Sequence, residues 1–343
     1  MLQLIVPAFF QTSDLLDLLA APRLHGVELL LARGRREPLA STSLEELLCR
    51  ELGIARQQDW PIAPLSLAAA GGAAGKDYWL RADPVHLRFE RDQLVLSEIA
   101  EPTPDEAEQL CKALAEHFGE DFSPQPLRPG AWVVRAEPAP QLVTIPLSQA
   151  TGKPVDPLLP TGDDALPWRK LLNEVQMLLF SHPVNQAREA RGEPAINSVW
   201  LWGGGRLPEM NTTTQRSVLC SDADWQALAK HAWADVRMLP AQWNRDIPDQ
   251  ALLIMEGPHR LLRTGDYNGW LQALRDFENN WLQPLLASGR PFRLDDPVQG
   301  MSLHWRRGYR WKFWLRLQKP VQQTFKLSPP PSDAGVDAFG KRY

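Results

Sequence analysis

Apolar positions along the chain fall into two kinds of pattern, short runs suited to strands and longer stretches with a period near 3.6. "LQLIV" at 2–6 is apolar at four of five positions and predicts a buried strand. "STSLEELLCRELG" (41–53) predicts a helix, with Ser43 as cap, Glu46 three residues on and Gly53 at the end. "DYWLRADPVHLRFERDQLVLSE" (77–98) reads as two paired strands around an Arg91-Asp92 turn. The helix over 103–119 has Thr103 as cap, Glu106 at its third position and a stripe of Leu110, Leu114 and Phe118. "AWVVRAE" (131–137) predicts another strand.

The second half alternates more regularly. A helix over 168–181 places Leu171, Val175, Leu178 and Leu179 on one face, and Pro183 breaks it. "NQAREARG" adds a short helix that Gly192 terminates, and "INSVWLW" (196–202) reads as a strand covered on both faces. "SVLC" and "ALLIM" (251–255) predict short buried strands, with a capped helix, "SDADWQALAKHAW", between them. Over 266–289, Trp270, Leu274, Phe277, Trp281 and Leu285 recur at four, three, four and four, as on one face of a helix. Strands at 291–295, 301–306 and 309–318 close the pattern.

These elements predict an α/β protein: a mixed sheet with flanking helices and additional antiparallel strands. Seven prolines within 136–168 mark a linker or a long ordered loop. The expected division is therefore an N-terminal α/β lobe (1–135), that proline-rich segment, a C-terminal α/β lobe (169–325) and a disordered tail (326–343).

Composition changes this picture little. A net charge of −4 over 343 residues gives no whole-chain signal for nucleic acid or an anionic membrane. No apolar run approaches the roughly 20 residues needed to cross a bilayer, and "MLQLIVPAFFQTSD" lacks the basic start of a signal peptide. Cys49, Cys111 and Cys220 are unpaired in spacing, as free thiols in a reducing cytoplasm are. A cytoplasmic location without membrane contact is expected. The 31 prolines imply rigid loops, and the 14 tryptophans imply an aromatic core or a stacking surface.

Four groups of residues are candidates for chemistry. Gly203, Gly204 and Gly205 follow a buried strand, either as a plain turn or as a loop that lets backbone approach a ligand, with Arg206 beside them. The segment is not GxGxxG and has no phosphate-loop lysine, so no cofactor is expected. Just before it, Arg188 and Arg191 share a helix face and either clamp an anion or pair with neighbouring glutamates. His182, Asn185 and Asn197 accompany them as ligand contacts or as loop staples. Arg81, Asp83, His86 and Arg88 form a second cluster, in which Arg81 and Asp83 can pair while His86 and Arg88 line a polar face. Finally, "HWRRGYRWKFWLRLQK" (304–319) interleaves cations with aromatics. Arg310, Trp311, Lys312, Trp314 and Arg316 suit single-stranded nucleic acid, or equally a half-buried strand with no ligand. Metal signatures are missing: there is no HxxxH, CxxC or HExxH, and Asp163-Asp164 reads as a helix cap, so no metal site is expected. Neither GxSxG nor a Cys-His signature marks a nucleophile.

Segments 78–87 and 159–205 and the helix containing "DFENNWLQPLLASG" resemble the RpfE-type regulatory proteins, over about residues 75–320. That group stands beside the archaeal-type cofactor-independent phosphoglycerate mutases. Their "HPVN..R...G..PAN..WLWG.G" segment is similar to His182, Pro183, Val184, Asn185, Arg188, Gly192, Pro194, Asn197, Trp200, Leu201, Trp202, Gly203 and Gly205, with Ala195-Ile196-Asn197 in place of the tighter Pro-Ala-Asn. The resemblance implies a fold partly like alkaline phosphatase. It also implies a centre of two divalent metals, held by Asp and His, with a serine nucleophile. Pro7-Ala8 stands where the metal-binding Asp-Gly belongs, and His259 with Asp266 does not restore the late histidine motif. The resulting expectation is a mutase-like regulatory protein without the phosphotransfer site, binding a small anionic ligand or an unknown protein partner. A divergent mutase or phosphatase is the enzyme alternative, and nucleic-acid binding through 304–319 a third.

Overall fold

The computed structural model describes residues 1–10, 23–97, 101–209, 216–232, 234–263 and 265–311. In chain order the first elements are β1 (Leu2–Ile5), α1 (His25–Arg33), β2 (Arg35–Pro38), α2 (Leu44–Glu51), α3 (Ile62–Ala69), β3 (Trp79–Glu90) and β4 (Gln93–Ser97). Next come α4 (Pro104–Phe118), β5 (Gln125–Arg128), β6 (Ala131–Arg135), a turn of helix α5 (Leu147–Ala150), α6 (Ala165–Phe180), α7 (Pro183–Ala190) and β7 (Ser198–Gly205). The last are β8 (Ser217–Leu219), α8 (Ala223–His231), β9 (Asp235–Arg237), β10 (Leu252–Ile254), α9 (Gly257–Arg263), α10 (Tyr267–Phe277), α11 (Gln283–Ser288), β11 (Phe292–Asp296) and β12 (Met301–Trp305).

Local chemistry accounts for several boundaries. Thr103 and Glu106 close a reciprocal capping box on α4, with Pro104 in the first turn. The β3–β4 hairpin turns through Arg91 and Asp92, both at positive φ (45° and 68°), the handedness that a two-residue hairpin needs. A π turn over Glu278–Leu282 joins α10 to α11, so the amphipathic run continues with Trp270, Leu274, Phe277, Trp281 and Leu285 all buried.

Two sheets carry the architecture. The seven-stranded sheet runs β2-β12-β11-β1-β10-β8-β9; the strands from β11 to β9 are parallel, whereas β12 is antiparallel to both β11 and β2. The second sheet, β4-β3-β6-β5 with β7 also on β3, is antiparallel throughout. The mixed sheet, flanking helices and extra antiparallel strands expected from the sequence are all present. One core packs α1, α10 and α11 on the outer face of the first sheet. Another lies between the sheets with α2, α3 and α8, and a third packs α4, α6 and α7 on the outer face of the second sheet.

Across the division expected at 136–168, β1 and β2 pair with strands from the C-terminal part, so the first sheet draws on both sides of it. The proline-rich stretch packs as a strap, with Leu142, Ala150 and Val155 buried and the Trp200 indole donating to Ile145 O at 2.8 Å. The strand expected at 309–318 is corrected at its start, where residues Arg307–Trp311 make a 3-10 turn instead of extended backbone. Lys312, Trp314, Arg316 and the 326–343 segment lie outside the described residues. Among the described residues no helix is long and apolar enough to cross a membrane.

Candidate functional site

The segment that stood out in the sequence is a structural clasp. Asn185 is 1% exposed and ties the end of α6 to the segment before β7, donating to Leu179 O (2.7 Å) and Ile196 O (2.8 Å) while accepting from Ile196 N (2.7 Å). Asn197 does the same for Leu87, bonding its N–H and its carbonyl. His182 caps α7 by accepting from Val184 N, and burial lowers its pKa. The guanidinium forks expected to receive an anion are filled from within. Arg188, 1% exposed, reaches Glu106 at 2.8 Å, and Arg191 reaches Glu106 at 2.6 Å and Glu193 at 2.9 Å. Arg206 pairs with Glu137 at 3.0 Å.

The glycine triplet is neither a turn nor a loop; it extends β7. Gly203 has φ +66°, and a Cβ there would lie 3.0 Å from Ile62 Cβ. At Gly205 a Cβ would lie 2.7 Å from Pro61 Cβ. The absent side chains let α3 settle directly on the strand. Asp164 stands at the start of α6 but does not cap it; its carboxylate accepts from Gln141 N at 2.7 Å.

Arg81 and Asp83 do form the expected pair, as a fork at 2.9 and 3.0 Å. Both are almost fully buried, with Arg81 5.2 Å from the Trp202 ring centre and the Trp202 indole donating to Asp83 at 2.7 Å. Arg81 also reaches Asp224 in α8 at 3.1 Å, and Arg128 binds that carboxylate at 2.8 and 2.7 Å. His86 and Arg88 stay apart from this network: His86 contacts Ala195 O and Arg88 pairs with Glu90.

The carboxyl ends of the parallel strands point to a different place. In open α/β sheets this edge is where ligands bind. A cleft of about 520 Å³ opens beyond β8 and β10, lined by Asp222, Trp225, Glu256, Arg260, Asn280 and Trp281 among others. Asp222 caps α8 by accepting from the Asp224 and Trp225 N–H groups at 2.8 and 3.3 Å. Glu256, just beyond β10, accepts from the Trp225 indole at 2.5 Å. Burial pushes the Glu256 carboxyl up to about 8, and the neighbouring Asp222 charge adds to the shift. Burial likewise raises Asp222, reinforced by Asp224. His259, in α9, is lowered to about 3 by burial and by Arg263, so it is neutral near pH 7. The Cys220 thiol is pushed up to about 12 by burial and Asp222, which leaves it unreactive. Asn280 and Trp281 reach the cleft from the π turn, a distortion often found at functional sites.

The same edge does not fit a two-metal centre. Asp296 ends β11, but its carboxylate accepts four backbone N–H groups, from Ala8, Phe10, Val298 and Gln299, at 2.9 to 3.2 Å. Asp295 is held by Gln3, Arg293 and Ser302. β1 delivers Pro7 and Ala8, which carry no ligand atom in their side chains. Among the described residues no three His, Cys, Asp or Glu side chains converge as metal ligands. The cleft residues escaped the sequence reading because their positions are 34 apart, at the ends of separate strands. The available signal was repetition, since "SVLCSD" and "LLIME" are both short apolar strands that run into an acid.

No family model matches the chain. It is 25% identical over 257 residues to the probable 2,3-bisphosphoglycerate-independent phosphoglycerate mutase of Geobacter sulfurreducens, covering 67% of this chain and 64% of that one. The 2,3-bisphosphoglycerate-independent phosphoglycerate mutase of Methanothrix thermoacetophila is 40% identical over 68 residues, 20% of this chain and 17% of the relative. That of Methanosarcina mazei is 25% identical over 177 residues, 43% and 44% of the two chains. Each match spans less than two thirds of the relative's own length. The chain is thus a distant homologue of the archaeal-type cofactor-independent phosphoglycerate mutases. Similar solved structures include a cofactor-independent phosphoglycerate mutase from Thermoplasma acidophilum (16% identity, TM-score 0.42, 89% of this chain and 90% of that one). A protein from Pyrococcus horikoshii is similar at 12% identity and TM-score 0.47, over 89% and 87% of the chains.

Proposed function

We propose that the chain is a mutase-like binding protein that holds a ligand in the cleft beyond β8 and β10 without metal-dependent phosphoryl transfer. The observation that carries this reading is the contrast along one sheet edge. The acids of β11 are committed to backbone and side-chain donors, while β8 and β10 open into a cleft of about 520 Å³. Trp225, Trp281 and Phe277 supply apolar walls; Asp222, Glu256 and Asn280 supply a few convergent polar groups, the usual make-up of a small-molecule site. The small anion expected at Arg188 and Arg191 is replaced in this proposal by a ligand with hydrogen-bond donors, since the cleft is richer in carboxyls than in guanidiniums. A regulatory role of RpfE type, exercised through that ligand or a protein partner, belongs to the same proposal.

The distant homology to the mutases supports a second reading, a divergent phosphotransfer enzyme. The two are separated by assaying mutase and phosphatase turnover on 3-phosphoglycerate with added Mn²⁺, with and without chelator. The binding reading expects no chelator-sensitive turnover. A rate that chelation abolishes, and that Asp296→Asn also abolishes, would establish the enzyme instead.

A further inference from the structure

Helix α6 buries one side and exposes the other. Leu172, Val175 and Leu179 pack into the core on the outer face of the second sheet. On the opposite side Leu166, Met177 and Phe180 are 64%, 76% and 79% exposed. Together with Lys170 and Asn173 they recur at four, three, four and three, a single stripe along about 20 Å of helix. Large apolar side chains left in water on one helix face mark an interaction surface more often than they serve the fold.

The stripe is apolar at both ends and polar at its middle. Lys170, Asn173 and Glu174 are exposed there, and their side chains form no hydrogen bond or ion pair among the described residues. This order is its own complement under a two-fold axis. With the axis level with Leu172, an antiparallel copy sets Lys170 opposite Glu174 of the other copy, and the symmetry makes the pair twice. Leu166 stands six residues before the axis, Met177 and Phe180 five and eight residues after it. Leu166 of one copy therefore falls between Met177 and Phe180 of the other, within about 3 Å along the helix. Asn173 lies beside the axis, where a polar residue fixes register. A parallel copy sets Lys170 against Lys170 and Glu174 against Glu174, which repels.

We propose that this face of α6 is a homodimer interface, covered by α6 of a second copy of this chain packed antiparallel across it. The charge complementarity of the middle and the apolar match of the ends select a second copy. One helix face of this length buries less than the roughly 800 Å² per partner of a stable complex, so the dimer is a weak, reversible one. The interface shares no residue with the cleft beyond β8 and β10 and does not depend on what that cleft binds.

The test is analytical ultracentrifugation of the full chain from about 1 to about 200 μM, where a monomer–dimer equilibrium with a Kd of roughly 10–100 μM is expected. Phe180→Glu and, separately, Lys170→Glu are each expected to weaken it at least tenfold. Both positions are exposed, and thermal unfolding checks that each variant folds. Lys170→Glu combined with Glu174→Lys exchanges the charges and is expected to restore the affinity to within about threefold of the parent. A chain that is monomeric throughout this range overturns the proposal and leaves the stripe to an unlike protein. A dimer that Phe180→Glu leaves intact overturns it too. So does a double variant no tighter than Lys170→Glu alone, since the antiparallel charge pairing is what selected a second copy.

Discussion

Glu256 sits two residues past β10, half-buried, and lines the cleft together with Asp222. Its carboxyl is held up to about 8, first by burial and then by Asp222. In an unfolded chain a glutamate titrates near 4.3. A raised folded-state pKa means that the native protein holds a proton the unfolded chain has released. The associated stability is therefore fully present at acid pH and is lost as pH rises from about 4 through about 8. The slope should be visible in urea unfolding between pH 5 and 8, with a cumulative effect on the order of 3 kcal/mol at most. Glu256→Gln has no proton to lose and should show a flatter profile over that interval. Asp222, Asp296 and Glu45 are raised by burial as well, so the measured quantity is the difference between the two proteins. Parallel profiles would show that Glu256 ionises normally.

At the scale of elements, β7 shows what local reading reaches and where it stops. Ser198–Trp202 was legible as a buried strand from its apolar run, and the capping residues Ser43 and Thr103 fixed the starts of α2 and α4. Those signals are local: a side-chain oxygen three residues from the N–H it accepts, or a period of two or 3.6. The glycines after Trp202 carried no such signal, because their reason lies in other parts of the chain: the start of α3 presses on Gly203 and Gly205, and Tyr78 and Leu80 press on Gly204. A methyl group on Gly204 would meet the Tyr78 hydroxyl and come within 2.7 Å of Leu80 Cδ2. Gly204→Ala should therefore destabilise the fold by about 1–3 kcal/mol without touching the cleft, as overpacking does. Chemical denaturation measures it, and a variant as stable as the parent would mean that the Tyr78 and Leu80 side chains can give way. Local reading reached the Arg191–Glu193 pair but not Glu106, the partner that Arg188 and Arg191 share, since it lies over 80 residues away, in α4.

At the scale of the molecule, α8 links the sheets. Its Asp224 is reached by Arg81 from β3 and by Arg128 from β5, while Asp222, two residues earlier, lines the cleft of the other sheet. Burial alone would raise the Asp224 carboxyl, yet the two guanidiniums hold it well below the usual range. Removing one member of a buried ion pair costs about 3–5 kcal/mol, because the partner charge stays buried. Asp224→Ala should lose on the order of 3 kcal/mol, and Arg128→Ala, whose side chain is 37% exposed, clearly less. Equal, small losses in thermal or urea unfolding would show that the network does not hold the sheets together. The alternation of strands and helices made the α/β class readable from the chain. The division into two sheets was hidden, because β8, β9 and β10 are three residues each and contain no register information.

The placement of β1 also sets a timetable. During synthesis, Gln3 leaves the ribosome roughly 250 residues before Leu252, its neighbour on one side, and later still comes Arg293 on the other. At about 5–20 residues per second, that interval is roughly 10–50 s. The antiparallel sheet, by contrast, is encoded without interruption between Trp79 and Gly205 and is complete well before then. The nascent chain must therefore carry an apolar strand with both edges open while the middle of the protein is already folding. In that window the central strand of the seven-stranded sheet offers both unpaired edges to other chains.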